Sequence, residues 1–206
     1  MYLKYMFDKV LAVLGIVVLS PVMVIIFVIV RISLGSPVIF KQRRPGMNGT
    51  PFVTYKFRTM TDLRDAAGDL LPDSERLTSV GRLLRRTSID ELPELFNVAK
   101  GDMSLVGPRP LLMRYTPFFT ERERLRFTIR PGITGWAQIN GRNHSSWDSR
   151  LCDDVWYVEN RTFWIDITIL FRTILQVFRG QGVVEDARSI MLNLDEERSR
   201  KKERLI

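Results

Sequence analysis

The sequence has little of what most enzymes of its length use for chemistry. Cysteine occurs once, at Cys152, and histidine once, at His144, in 206 residues. No intrachain disulfide can form, and a reducing compartment is natural for such a chain. A structural zinc site has no ligand set. A Ser-His-Asp triad would have to use the single imidazole, which has no supporting constellation. Cys152 has none either and is expected to be structural packing. There is no Walker loop and no G-x-G-x-x-G, so the standard nucleotide folds are disfavoured. Lysine is also scarce, with 7 Lys against 24 Arg at a formal net charge of +8.

That bias has a physical meaning. The guanidinium fork pairs bidentately with phosphate, whereas an ammonium acts as a point charge. Part of the basic surface is expected to be solvated and to face anionic lipid. Nucleic acid is the other usual partner of a basic chain. Here the arginines are scattered, with no helix-turn-helix, zinc-finger or RNA-binding signature, so no nucleic-acid partner is expected. The length fits one domain with room for an anchor and a tail. A soluble part of roughly 150 residues can bury a real core.

Val10 to Val30 is an almost wholly apolar run of 21 residues, long enough to span a bilayer once. A cleavable signal peptide fits poorly, because the run is long and Arg31 follows it. Ser20-Pro21 interrupts its middle, where proline removes a backbone hydrogen bond and predicts a kink. Lys4 and Lys9 precede the run; Arg31, Lys41, Arg43 and Arg44 follow it. Both flanks are basic, so the positive-inside rule favours neither orientation. A helix that enters, bends at Ser20-Pro21 and leaves on the same face satisfies both flanks; a simple kinked transmembrane helix is the alternative.

After Gly35-Ser36-Pro37, Val38 to Gln42 reads as a strand, Arg43 to Gly49 as a turn and Pro51 to Phe57 as the partner strand of a hairpin. Residues 62–73 read as loop plus a short helix, and Ser79 to Arg86 as a basic helical turn. Leu92, Leu95, Phe96 and Ala99 share one helix face, with Gly101 as C-cap and a helix start near Ile89–Glu91. Pro117 to Arg130 is a further helix candidate, and helical character returns over Trp147 to Asn160. From Phe163 to Phe178 an apolar stripe recurs at helical spacing. It reads as a core-facing helix or, alternatively, as a helix lying in a membrane interface. Asp195 to Arg204 is a mixed charge run, expected to be a solvated or frayed tail.

The chemistry concentrates at Thr87-Ser88-Ile89-Asp90-Glu91-Leu92-Pro93. Ser88-x-x-Glu91 matches a capping box, which would make Glu91 a structural cap. Yet two adjacent carboxylates near a helix start, just after Arg82, Arg85 and Arg86, also suit phosphate chemistry. An ionised Asp90 held near a phosphate is a candidate nucleophile. Glu91 points another way and is better placed to hold Mg²⁺. Arg85, Arg86 and Arg109 could reduce the repulsion between a carboxylate and a diphosphate. Gly107-Pro108-Arg109-Pro110 is a rigid turn that either leaves a solvated arginine or pre-positions a phosphate clamp. Lys56 and Arg58 could add charge from the hairpin. Asp153 and Asp154 form a second acidic pair, able to cap a helix or bind metal.

Several motifs in order carry a resemblance: Ser20-Pro21, Tyr55-Lys56-Phe57-Arg58-Thr59-Met60, Asp90-Glu91-Leu92-Pro93, the run Lys100 to Pro110, and Arg130-Pro131-Gly132-Ile133-Thr134-Gly135-Trp136. From Lys9 to about Gly182 the chain resembles bacterial sugar transferases of the monotopic phosphoglycosyl transferase family. The resemblance implies transfer of a sugar-1-phosphate from a UDP-sugar to a polyprenyl phosphate such as undecaprenyl phosphate, releasing UMP through a covalent phosphosugar-enzyme in a ping-pong sequence. It implies Asp90 as nucleophile, Glu91 as helper to Mg²⁺, and Lys56, Arg85, Arg109 and Asp154 as residues lining the site. An N-acetylated UDP-sugar, UDP-diNAc-bacillosamine among them, is the expected donor. The implied fold is α+β and mostly helical. Residues 1–35 form a re-entrant membrane helix, 36–184 a catalytic domain with a short β-hairpin and interfacial amphipathic helices, and 185–206 a charged tail. The implied location is the cytosolic face of the bacterial inner membrane, against membrane lipids. A polyprenyl-pyrophosphate phosphatase using the same aspartate and a basic membrane scaffold without activity are the competing readings.

Overall fold

The computed structural model describes residues 2–140, 146–179 and 192–203. His144 and the expected domain boundary at 184/185 lie outside the described residues. The first element, α1, runs Tyr2–Leu34 without interruption through Pro21. Pro21 cannot donate to the carbonyl of Val17, four residues back. Ser20 Oγ donates to that same carbonyl at 2.8 Å instead, so the bond proline removes is replaced by a side chain. Gly35, at φ 79°, ends the helix in a conformation glycine adopts without strain. Among the described residues α1 is the one helix long and apolar enough to cross a membrane, by length and composition.

The globular body begins with two antiparallel strands, β1 (Ile39–Pro45) and β2 (Pro51–Phe57). The first strand runs three residues further than expected. The reversal uses Gly46 to Thr50, where the amide of Gly46 donates to the carbonyl of Thr50 at 2.8 Å. Asn48 takes a left-handed φ of 57° in this turn. The register pairs Phe40 with Lys56, Gln42 with Thr54 and Arg44 with Phe52, so Arg44 and Lys56 share one face of the hairpin.

A short helix α2 (Asp73–Arg76) leads to α3 (Ser79–Arg86), capped by Thr78, whose hydroxyl accepts from the Gly81 amide at 3.0 Å. Gly81 lets α3 press onto the end of β2: a Cβ there would lie 1.9 Å from the Thr59 carbonyl oxygen. A 3₁₀ turn, Ile89–Glu91, precedes α4 (Glu94–Lys100), which Gly101 closes at φ 94°. A second, parallel strand pair joins β3 (Ser104–Val106) to β4 (Gly132–Thr134). Residues Pro117 to Arg130, read as one helix, instead hold the end of one 3₁₀ helix, Met113–Phe118, and a second, Glu123–Thr128. The break comes at Thr120. Its amide donates to Glu123 Oε2 at 2.8 Å, and its Oγ1 accepts from the Glu123 amide at 3.3 Å. That is a capping box, and it starts a new turn.

Helices α5 (Trp136–Asn140), α6 (Trp147–Asn160), α7 (Phe163–Phe178) and α8 (Leu194–Glu203) complete the described chain. Tyr157 and Val158 of α6, Val106 and Ile169 form one buried cluster. Cys152 falls on the exposed side of α6, so the expectation that it packs structurally is corrected. The core-facing reading of α7 fails as well. Trp164 is 75% exposed and Phe171 61%, and the buried face carries Asp166, Ile169 and the Thr173 hydroxyl, which shares a 2.7 Å bond with that of Thr134. The charge run at the C-terminus is solvated along much of its length, with residues 199–203 exposed, but it is not frayed. It forms α8, whose Leu194 is fully buried beside Tyr115 and Trp147, and whose Arg198 pairs with Glu123 at 2.8 Å and Asp148 at 2.6 Å.

Both halves of α1 rest on this body. Asp8 accepts a hydrogen bond from Ser104, and Lys4 pairs with Asp166 at 2.8 Å. Ala12 packs with Val98 and Met103. Further along, Met23, Ile26 and Val30 pack against Val38, Phe57 and Leu84. The opposite side of α1 is apolar and exposed, and it meets α7 where Phe7 and Phe163 make an edge-to-face contact with centroids 6.2 Å apart.

Candidate active site

The 3₁₀ turn carrying Asp90 and Glu91 lies between α3 and α4 and packs on β2. Ser88, the residue before it, sits at φ 56° with no side-chain cap. The capping box Ser88-x-x-Glu91 is therefore not formed. A serine in the left-handed region is strained, and such strain concentrates where a segment is held for function.

Glu91 is instead the hub of an ion cluster. Its Oε1 accepts from Lys56 Nζ at 2.5 Å and from Arg109 Nη2, and its Oε2 accepts from Arg109 Nη1 at 3.3 Å. Lys56 also reaches Glu94 Oε1 at 3.3 Å, and the Glu94 side chain is 3% exposed. Arg85 Nε donates to Thr59 Oγ1 at 3.1 Å and contributes its charge to the field at Asp90. Asp90 is 8% exposed. Its carboxylate makes no hydrogen bond or ion pair among the described residues.

The two adjacent carboxylates therefore differ sharply. Burial, with the charge of Glu91 added, pushes the Asp90 carboxyl up to about 7, against the downward pull of Lys56, Arg85 and Arg109. Burial would raise Glu91 too, but the charges and hydrogen bonds of Arg109 and Lys56 outweigh it and hold that carboxyl well below the usual range. Burial raises Glu94. One carboxylate is locked as an anion; its neighbour is free and poised near neutrality. Environments that push paired carboxyls apart mark a division of chemical roles.

Lys56, Arg109, Asp90 and Glu91 are thus brought together, with Arg85 at the edge. Asp154 meets the group through another residue: its Oδ2 accepts from Arg126 Nη2 at 2.8 Å, and the same nitrogen donates to the Arg109 carbonyl at 2.6 Å. Burial, outweighing Arg126, raises Asp154 to about 6. Arg58 does not add charge to the cluster. It pairs with Asp62 at 2.5 Å and donates to the carbonyls of Ser36 and Met60, tying the hairpin to the end of α1. Arg86 is exposed, and Asp153 makes no ion pair among the described residues.

Sequence reasoning missed Glu94, Arg44 and Arg126. Glu94 was signalled by its spacing, three residues after Glu91. Arg44 was signalled by the alternation of β1, which puts it on the Lys56 face; burial, then the nearby Arg109 charge, lowers it to about 10. Nothing in the sequence pointed to Arg126, whose place depends on the broken 3₁₀ segment.

The family model described as bacterial sugar transferase matches residues 1–180, and the chain belongs to that family. It is 54% identical over 183 residues to an uncharacterized sugar transferase, EpsL, of Bacillus subtilis strain 168, covering 89% of this chain and 91% of that protein. It is 38% identical over 198 residues to an undecaprenyl-phosphate galactose phosphotransferase of Salmonella typhimurium, covering 88% of this chain and 41% of the relative. To a UDP-glucose:undecaprenyl-phosphate glucose-1-phosphate transferase of Escherichia coli K12 it is 40% identical over 186 residues, covering 85% and 40%. The chain spans about two fifths of those two longer relatives.

Proposed function

We propose that this protein transfers a sugar-1-phosphate from a UDP-sugar to undecaprenyl phosphate, releasing UMP and forming a polyprenyl-diphosphate-linked sugar. The observation that carries the reading is the contrast within the acidic pair: Glu91 is engaged by Lys56 and Arg109, while Asp90 is buried and unengaged beside them. In this scheme an Asp90 carboxylate oxygen attacks the phosphorus that bears the sugar. The bond from that phosphorus to the bridging oxygen breaks, and UMP leaves with its electron pair. The resulting mixed anhydride on Asp90 is attacked by a phosphate oxygen of the lipid, which takes the phosphosugar and restores the carboxylate. Lys56, Arg85 and Arg109 offset the repulsion between anionic nucleophile and diphosphate.

A divalent cation, Mg²⁺, belongs to the proposal. Among the described residues no group of three or more His, Cys, Asp or Glu could hold a metal ion. Mg²⁺ requires fewer, because it is commonly bound by one or two carboxylates together with substrate phosphates. Glu91 fits as such a ligand, since it stays ionised and its Oε2 carries one long hydrogen bond. When bound, the ion would neutralise charge on the phosphate oxygens.

The setting is the cytosolic face of the inner membrane. The apolar side of α1, continued by α7, supplies the surface that would enter lipid. Contact of both halves of α1 with one body favours a re-entrant anchor, because a spanning helix would carry one half away from it. An N-acetylated UDP-sugar is the proposed donor. Wild-type protein given UDP-sugars and undecaprenyl phosphate in micelles is expected to release UMP and form a lipid-linked sugar, and EDTA is expected to stop it. Free phosphate from a polyprenyl diphosphate, without UMP, would instead indicate a phosphatase.

A further inference from the structure

Arg126 is the most completely buried cation near the site, with its side chain 2% exposed. One nitrogen, Nη2, makes both of its bonds, to Asp154 Oδ2 at 2.8 Å and to the main-chain carbonyl of Arg109 at 2.6 Å. The guanidinium lies over Phe119 and Phe127, 5.2 and 5.8 Å from their ring centroids, and cation–π attraction offsets part of its desolvation. Nε and Nη1 have no hydrogen-bond partner among the described residues.

A buried ion pair of this kind is a poor device for stability, because apolar residues of equal volume do as well or better. Its location suggests another role. Pro108 and Pro110 flank Arg109 and have no N–H with which to fix this segment. Upstream, the Pro108 carbonyl is held by the Gly132 amide at 3.0 Å, where the two chains cross so closely that a Cβ on Gly132 would lie 2.1 Å from the Gly107 nitrogen. At Arg109 itself the carbonyl is held by Arg126, while the side chain grips Glu91.

We infer that Arg126, with Asp154 as its counter-ion, is a positioning residue: by holding the Arg109 carbonyl it fixes where the Arg109 guanidinium meets Glu91 and the phosphate. Asp154 thereby acts on the reaction without touching substrate. The catalytic consequence rests on the proposed transferase reading; the positioning itself does not.

The test is the double variant Arg126→Met/Asp154→Leu, which replaces the pair by apolar residues and should keep the fold. It is expected to melt close to wild type and yet lose about 10–100-fold in kcat/KM for UMP release, the scale of a misplaced clamp. Amide hydrogen exchange is expected to quicken in the peptide covering residues 107–112. In an Arg109→Ala background the double substitution is expected to add little to the loss already present, as coupled residues do. Arg126→Lys, which keeps the charge against Asp154, is expected to show the same two changes at smaller size, and it serves alone should the double variant not fold. Wild-type exchange over 107–112 in the folded variants overturns the inference, as does a rate loss that multiplies in full with Arg109→Ala. Failure of the wild type to release UMP would count against the transferase reading, and the exchange measurement would still decide the role of Arg126.

Discussion

The cluster under the hairpin and the outer side of α1 and α7 are opposites. In the first, Lys56, Asp90, Glu91 and Glu94 are packed together and buried or mostly so. In the second, Trp164, Phe171 and most of the valines of α1 are exposed. A protein that meets only water does the reverse, since charge is costly to bury and apolar surface costly to expose. The contrast is what the proposed function asks for: one part to handle a polyanion, the other to meet a surface without water. Helix α1 itself has two sides: one supplies Asp8 and Ala12 to the body, and the other is apolar and exposed.

Breaking the charged region should give the largest effect. Asp90→Ala is expected to lower UMP release by about 10³-fold or more, because the neighbouring carboxylates Glu91 and Glu94 are both engaged by Lys56. Comparable turnover in that variant would end the covalent scheme. The pH profile sharpens the point. Asp90 must be ionised to attack, and its carboxyl sits at about 7. The free-enzyme rate, as kcat/KM, is therefore expected to fall about tenfold per pH unit below that value. The same shift has a stability signature. The folded state holds the proton more tightly than the unfolded chain does, so wild type loses stability as pH rises from the ordinary 3.8 to about 7. Asp90→Asn removes that loss, so its melting temperature should exceed wild type above neutrality and match it near pH 4.

The apolar region should fail differently. Trp164→Glu with Phe171→Glu is expected to weaken partition into anionic vesicles by about tenfold or more, from the lost burial of two aromatic side chains. The rate of the detergent-solubilised enzyme should stay close to wild type; an unchanged partition would show that this face does not meet lipid. Lys56→Met tests what the ion cluster contributes to folding. Glu91 and Glu94 would lose a shared cation, at a cost on the order of 2 kcal/mol, below that of a fully buried pair because Lys56 is 22% exposed. A melting temperature lower by about 4–8 °C is the measure. Least affected should be Cys152→Ser, with stability within about 0.5 kcal/mol of wild type. The native thiol should react fully with a maleimide, since it lies on the exposed side of α6.

Legibility varied with how local the cause was. The hairpin, α4 with its glycine cap, and α6 follow from alternation, periodicity and turn chemistry, which act within a few residues. Asp90, Glu91, Lys56 and Arg109 were all identifiable as phosphate-site candidates. The capping-box alternative at Ser88 is not formed, because a capping box is only a spacing and Glu91 gains more from Lys56 and Arg109 than it could from a backbone amide. The segment after Pro117 was misjudged because its arginines and aromatics suit a helix, while Thr120 and Glu123 start a new turn within it. The docking of α8 has no local signal, because the partners of Leu194 and Arg198, Trp147 and Asp148, lie some fifty residues away in the chain.

Composition and short motifs determined that this chain would combine a long apolar helix with an arginine-rich body and a pair of adjacent carboxylates. Those properties depend on residue type and near neighbours. Packing alone decided which carboxylate of the pair is tied and which is free, which side of α7 faces outward, and that Asp154 speaks to the site through Arg126. Each of these depends on charges and surfaces brought together from distant positions, and their energies exist only once the chain has folded.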